Sequence, residues 1–464
     1  MSEHIPRSPV AYPEEDFLRT DSMTASASIQ DPSALYPELA RTHGALYTQQ
    51  YLHEGSEQSL AELAALQPDQ QRLTPGAYQE LHEFSRYAMP DQESYAAVEY
   101  INTIHDICKN PEIMRAVGLE PGNDSHDEGL RRLFLPEYGA VRRHFLPSYD
   151  NPEIFTDNQR RLIQGVLTAP FNFIRFVQSQ ASEYEIESLA TMPQPILAAA
   201  IAHGIHDLGG AMGHKNERAS LTLDEPAAVR LLDAAYSLTG NAADFGFPES
   251  TDTPITPRLR QQVYMSLRAA RLGITATDGS QTSSAELLTK LAVADLLRAY
   301  GSEEFVAPQT AFDRLPETLR ITWSTIHALP LHSPKDSGRF EGQGTEYAPA
   351  FLRALGKDVD SYYTMLGYFA QLYKIAYAVP TQEAGRDGLT SFPTQSPYRI
   401  LNLYHLATWF TGNAEQAKTA TSIWVRMIAT GDTLTPHVLP EADHSDPIYA
   451  YPLLHPDHLE ESAP

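Results

Sequence analysis

The chain has 464 residues, 42% of them hydrophobic, enough to fill the core of one large helical domain or two ordinary ones. Its 59 acidic residues against 34 Lys and Arg give a formal net charge of −25, which excludes non-specific binding to nucleic acid or to an anionic membrane, since both rely on basic patches. A single cysteine, Cys108, excludes an internal disulfide framework and a cysteine-type zinc site, and points to a cytoplasmic setting.

The opening MSEHIPRSPVAYPEEDF lacks the apolar core and cleavage site of a Sec signal, and no stretch is apolar for long enough to suggest a membrane span. Residues 1–73 are rich in Ser, Pro, Gln and acidic residues, with one short helical pattern at 57–66, and read as a flexible N-terminal arm. Thr74-Pro75 pairs an N-cap with Pro at the first helical position and opens a helix that ends before Pro90. The next helix, 94–109, carries Val98, Ile101, Ile104, His105 and Cys108 on one apolar stripe and is stopped by Asn110-Pro111. His105-Asp106 thus lies near a helix C-terminus, facing the core. A second doublet, His126-Asp127, sits in the polar segment PGNDSHDE, where it fits a solvated Asx-type turn as well as a substrate contact. Arg131, Arg132, Arg142 and Arg143 then concentrate positive charge, either to pair with neighbouring carboxylates or to face a phosphate.

The most apolar helix lies in ILAAAIAHGIHDLGGAMGHKNER, residues 196–218. Its polar exceptions, His203, His206 and Asp207, stand three and four residues apart and so share one face over the last turn. Gly209-Gly210 reads as a C-cap, which leaves the negative end of the helix dipole beside those side chains and favours a protonated His or a metal ion. His214 and Glu217 follow on the exit loop, near in sequence to the same spot. A buried His is often satisfied by a backbone carbonyl, but three polar groups on an apolar helix can serve one another as partners, which favours a site.

Thr222-x-x-Glu225 with Pro226 reads as a capping box for a helix to about residue 238, and Thr256-Pro257 opens another that ends before Gly273. In SSAELLTKLAVADLLRAY, residues 283–300, Asp295 lies on the apolar side, where a carboxylate needs a cation. Helical patterns continue at 346–355, 359–379, 397–410 and 415–430, with Tyr362, Tyr363, Tyr368, Phe369, Trp409 and Trp424 read as core; residues 432–464 read as a loose tail. No Walker or Rossmann glycine loop is present, and almost nothing alternates with period two. The expected fold class is all-α, with a helical domain at 74–301, additional helices at 302–431 and flexible termini.

His105-Asp106 on one helix, His206-Asp207 on a second and Asp295 in KLAVADLL on a third resemble the HD-domain superfamily, an all-α fold of phosphohydrolases and phosphodiesterases. The resemblance implies an HD-like helical bundle in which His105, His206, Asp207 and Asp295 hold a divalent metal wherever the reaction is metal-dependent. The H-x-x-H-D helix end, a partner His about a hundred residues earlier, and the following GH...S-x-T-L-x-E-P look most similar to SidE-type phosphodiesterase domains. Members of that group cleave a phosphodiester in ADP-ribosylated ubiquitin with paired histidines and a Glu, without needing a metal. That likeness implies His105 and His206 as the catalytic pair, aided by His203, Asp106 and Asp207, and Glu137 or Glu153 as the Glu. His126, Arg131, Arg132, Arg142, Arg143, His214 and Glu217 are then the expected substrate contacts. It also implies an effector that reaches a host cell by a non-Sec route and takes a nucleotide or ADP-ribosylated protein as substrate. Two alternatives stand beside it: an HD-type di-iron oxygenase, because the same ligands bind iron, and a non-catalytic helical interaction protein, in which these side chains are scattered in space.

Overall fold

The computed structural model describes residues 32–121, 126–178, 181, 183–240, 256–274, 289–294, 297, 299, 301–328, 355–383, 403–430, 433–439 and 450–459. They form two compact units, one built mainly from residues 32–177 and Tyr184–Tyr264, the other chiefly from Met265 onward. The division therefore falls at 264 rather than 301, and the first unit begins well before residue 74. Among the described residues no helix is long and apolar enough to cross a membrane.

The first unit comprises α1 (Pro32–Glu54), α2 (Glu57–Leu63), α3 (Pro75–Ala88), α4 (Gln92–Ile104), α5 (Pro111–Ala116), α6 (His126–Leu133), α7 (Gly139–Phe145), α8 (Asp157–Thr168), α9 (Phe173–Val177), α10 (Glu183–Ser188), α11 (Gln194–Gly210) and α12 (Glu225–Thr239); α13 (Pro257–Arg271) spans the division. Thr74 caps α3 by accepting from the Ala77 amide, and Asp91 with Ser94 forms a capping box for α4. The most apolar helix, α11, is the axis: Leu197, Ala199, Ile201 and Ile205 are buried, and α1, α3, α4, α8, α9 and α12 all pack against it.

Residues 1–31 lie outside the described residues, and α1 corrects the reading of residues 32–73 as part of a flexible arm. It lies along α11, burying Ala40, Ala45 and Leu52, small or widely spaced residues that give little periodic signal. The two helices meet at glycines. A Cβ on Gly210 would stand 2.5 Å from the Arg41 carbonyl and closer still to the Ala45 nitrogen, and one on Gly44 would stand 2.9 Å from the Gly210 Cα. Gly209-Gly210 is therefore not a C-cap; α11 runs through both residues to a right-handed Ala211, and the missing side chains admit α1. The expected capping box at Thr222 is also displaced. Asp224 caps α12, accepting from the Ala227 amide at 3.1 Å, while the Thr222 hydroxyl donates to the Leu208 carbonyl of α11.

The second unit contains α14 (Ser302–Arg314), α15 (Glu317–Ala328), α16 (Val359–Glu383), α17 (Tyr404–Gly412) and α18 (Ala414–Thr419). It also holds an antiparallel sheet of β1 (Ser422–Thr430), β2 (Thr433–Val438) and β3 (Ala450–Leu454) in the order β2-β1-β3, with Val425 opposite both Val438 and Tyr451. Trp323, Tyr362, Tyr363, Tyr368, Phe369, Tyr373 and Phe410 build its core together with Ile423, Val425 and Met427. The fold is predominantly helical, as expected for its class, but the sheet overturns two local readings: a helix over 415–430 and a loose tail after 432. In SIWVRMIAT the buried Ile423, Val425 and Met427 alternate with Trp424, Arg426 and Ile428. Apolar Trp424 and Ile428 on the outer face blur that period-two signal into a continuous apolar run.

Candidate functional site

α4 stops after Ile104. His105 occupies its C-cap position, Asp106 leaves helical geometry at φ −97°, ψ 4°, and a 3-10 turn at Ile107–Lys109 leads to Asn110, which caps α5. The break aims His105 and Asp106 off the helix end towards α11. There the His105 ring meets that of His203 edge to face, with centroids 5.3 Å apart, and its Nε2 lies 3.1 Å from Asp207 Oδ1 and 3.4 Å from Asp106 Oδ2. Both contacts have ion-pair distance without hydrogen-bond direction, so this buried nitrogen has no hydrogen bond of good geometry. His105 Nδ1 donates to the Asn102 carbonyl at 2.7 Å.

The rim adds charge from three further elements. Lys109 Nζ stands 2.8 Å from Asp106 Oδ2. His126, on the first turn of α6, places Nε2 3.5 Å from Asp106 Oδ1 and 3.3 Å from Asp127 Oδ1. Arg41 of α1 approaches Asp207 Oδ1 at 3.9 Å. His105 is 8% exposed, whereas Asp207, His126 and Asp127 are 34%, 33% and 42% exposed, so the cluster opens to solvent on their side.

Electrostatics divides the histidines. For His105 burial opposes protonation, but Asp106 and then Asp207 outweigh it and raise the ring to about 9. Burial, reinforced by the neighbouring His105 charge, lowers His203 to about 4. His206, deeper still, is lowered to about 3 by burial and by His203. Burial also disfavours the charged carboxylates, yet His105 draws Asp207 down to about 2 and holds Asp106 well below the usual carboxylate range. At neutral pH an imidazolium and a neutral imidazole therefore stand ring to ring.

The residues expected from sequence separate accordingly. His105, Asp106, His203, Asp207 and His126 converge. His206 does not share their face: it is 1% exposed, and its Nδ1 is occupied by Asn102 Nδ2 at 3.0 Å, so the ring that meets His105 is His203 instead. Arg131 and Arg132 are bound to the buried Glu128 at 2.7 and 2.8 Å. Arg142 bonds Asp150 at 3.4 Å and lies over the Tyr149 ring at 4.9 Å. These three arginines serve packing rather than an anion clamp, because each already has a partner within the fold. Arg143 and His214 are exposed, and Glu217 pairs with His43 at 3.1 Å. Glu137 and Glu153 are both exposed; the carboxylates beside the rings are Asp106 and Asp207. Asp295 lies outside the described residues.

Sequence reasoning missed Arg41, Gln49, Asn102 and Lys109. Asn102 had a readable signal, a polar residue between Ile101 and Ile104 on a buried stripe, whereas Arg41 and Gln49 lie in the supposed arm. Of the metal set expected from the HD resemblance, His206 has its Nδ1 taken up by Asn102 and Asp295 lies outside the described residues; among the described residues no group of three or more His, Cys, Asp or Glu is disposed to hold an ion.

Fold and site together define a helical protein in which the central helix and the end of α4 each bring one histidine and one aspartate to a partly open cluster. The chain belongs to the family described as "Family of unknown function (DUF6829)", which matches residues 4–244 and so spans every residue of the cluster. No curated protein and no solved structure matches the chain.

Proposed function

We propose that the chain is a phosphodiesterase of the HD-like, SidE-like kind that works without a metal, with His203 as general base and His105 as general acid. The observation that carries this reading is the pair of adjacent rings whose surroundings drive their protonation in opposite directions, since acid–base chemistry at neutral pH needs one group of each kind. Neutral His203 accepts the proton of an attacking water; His105 gives its Nε2 proton to the leaving oxygen. Asp106 and Asp207 keep His105 charged until that transfer. A phosphodiester also needs its negative charge met; Arg41, Lys109 and His126, which pair with Asp207 and Asp106 at the rim at 3.9, 2.8 and 3.5 Å, would turn from those carboxylates to the phosphate. A nucleotide or an ADP-ribosylated protein such as ubiquitin carries such a diester.

The test is product release from ADP-ribose, NAD, cyclic dinucleotides and ADP-ribosylated ubiquitin, with and without a chelator. Turnover that survives chelation and falls ~100- to 10,000-fold in both His105→Gln and His203→Gln is expected. His206→Gln should cost mainly stability, as its ring lies inside the fold. No hydrolysis of any diester, or wild-type rates in both variants, overturns the reading; bound iron with oxygen consumption would favour the oxygenase.

A further inference from the structure

Three histidines of the first unit hang on one side chain and its own backbone. The starting point is the Tyr95 carbonyl, which can only accept a hydrogen bond. The Gln49 atom facing it at 3.0 Å must therefore be the amide nitrogen, which leaves Gln49 Oε1 turned towards Asn102. An oxygen there requires a donor, so the Asn102 group at 2.8 Å is Nδ2. Its second hydrogen points at His206 Nδ1, 3.0 Å away, which must carry a lone pair. Asn102 Oδ1 then faces His203 Nδ1 at 2.8 Å, which must carry a proton. The main-chain carbonyl of the same Asn102 takes the His105 Nδ1 proton at 2.7 Å.

We infer that Gln49 and Asn102 are positioning residues that fix the tautomers of His203 and His206, leaving His203 Nε2 as a lone pair, while the Asn102 carbonyl holds the His105 Nδ1 proton and so makes Nε2 the nitrogen of that ring at which a proton is exchanged. Both amides are fully buried, so a reversed arrangement would set like groups against one another away from bulk solvent. Turning Asn102 over would set its nitrogen against the His203 proton and its oxygen against Gln49 Oε1. Turning Gln49 as well would set oxygen against the Tyr95 carbonyl. The polarity thus runs one way, from a backbone group that cannot change to the ring that acts as base. A neutral His203 without this contact would be free to carry its proton on Nε2, where it could not accept another. The assignment stands on the hydrogen bonds; its catalytic consequence rests on the acid–base reading above.

The experiment is long-range 1H–15N imidazole spectroscopy of the full chain with 15N-labelled histidine, assigned by single His→Gln variants and paired with kinetics. In the wild type His203 should be protonated at Nδ1 and bare at Nε2, and His206 the reverse. Asn102→Ala should move the His203 proton to Nε2 and lower kcat ~100-fold or more with KM within ~3-fold. Asn102→Asp keeps an acceptor for His203 but loses the donor for His206. It should hold His203 in its wild-type tautomer, put a proton on His206 Nδ1, and restore kcat to within ~10-fold of wild type. A wild-type His203 protonated at Nε2 overturns the inference even if both variants misfold, as do identical tautomers in the two variants. Tautomers as described with hydrolysis untouched by His203→Gln would leave the positioning intact and sink the acid–base reading instead.

Discussion

The two units solve the problem of a helical core differently. The second is built on aromatic bulk: Trp323, Tyr368, Phe369 and Tyr373 are almost wholly buried, and the Trp323 indole finds its partner in the Leu366 carbonyl at 3.2 Å. The first runs a polar thread through its centre, where Gln49, Asn102, His105 and His206 lie among alanines and isoleucines of α4 and α11. Apolar packing tolerates a change of pH, while a bonded polar thread must keep its protons in place. The first unit therefore spends stability on placing ionisable groups that a core alone would not need, and the proposed acid–base reading rests on this asymmetry.

Truncating the aromatic core should give the largest effect. Trp323→Ala is expected to destabilise the second unit by about 3–5 kcal/mol while leaving the His105 and His203 imidazole signals in place, read by hydrogen exchange and NMR. Collapse of those signals in step with the second unit would break the comparison.

Acid should act on the other side. His53, His203 and His206 are held neutral, with values lowered to about 4, 4 and 3, mainly by burial. Their folded values lie below the ordinary 6.5, so their stabilising contribution is full above 6.5 and is lost as the pH falls towards 4 and below. His105 runs the opposite way: its value of about 9 gives a contribution that is full below 6.5 and lost as the pH rises through 9. The first unit should thus be most stable near neutrality and lose on the order of a few kcal/mol between pH 6.5 and 4. Hydrogen exchange at stepped pH would show α4 and α11 opening before α16; simultaneous opening would contradict this.

The smaller effects concern the arginine cluster. Glu128→Gln leaves Arg131 and Arg132 without their buried carboxylate and should cost about 1–3 kcal/mol in denaturant titration, with hydrolysis per folded molecule preserved. Arg143→Ala, at an exposed position, should stay within about 0.5 kcal/mol. A loss of turnover at unchanged stability in either variant would return the cluster to the substrate.

Much of this was legible in the sequence. The apolar helix with embedded His203 and Asp207 and the Thr74-Pro75 start are local signals that appear where the pattern put them, whereas the helix expected over 94–109 stops after Ile104 and turns His105-Asp106 off its end. What stayed hidden depends on partners far away in the chain. Gly209-Gly210 looks the same in sequence whether it ends a helix or admits one, and only α1 decides between them. Whether His203 or His206 faces His105 turns on which of two adjacent directions meets α4, a choice that helical spacing alone leaves open. His126-Asp127 looked like a solvated turn because its partner, Asp106, lies twenty residues back. The sheet was lost to outward-facing Trp424 and Ile428.

The central claim is that His105 and His203, ring to ring, hold opposite protonation states at neutral pH. The most direct test is a pH titration of their imidazole resonances in the intact chain, over the range in which it stays folded. His105 should remain doubly protonated until the pH nears about 9, and His203 should remain neutral as far down as the fold persists towards about 4. Two rings titrating together near 6.5 would contradict the account, whatever activity the protein shows.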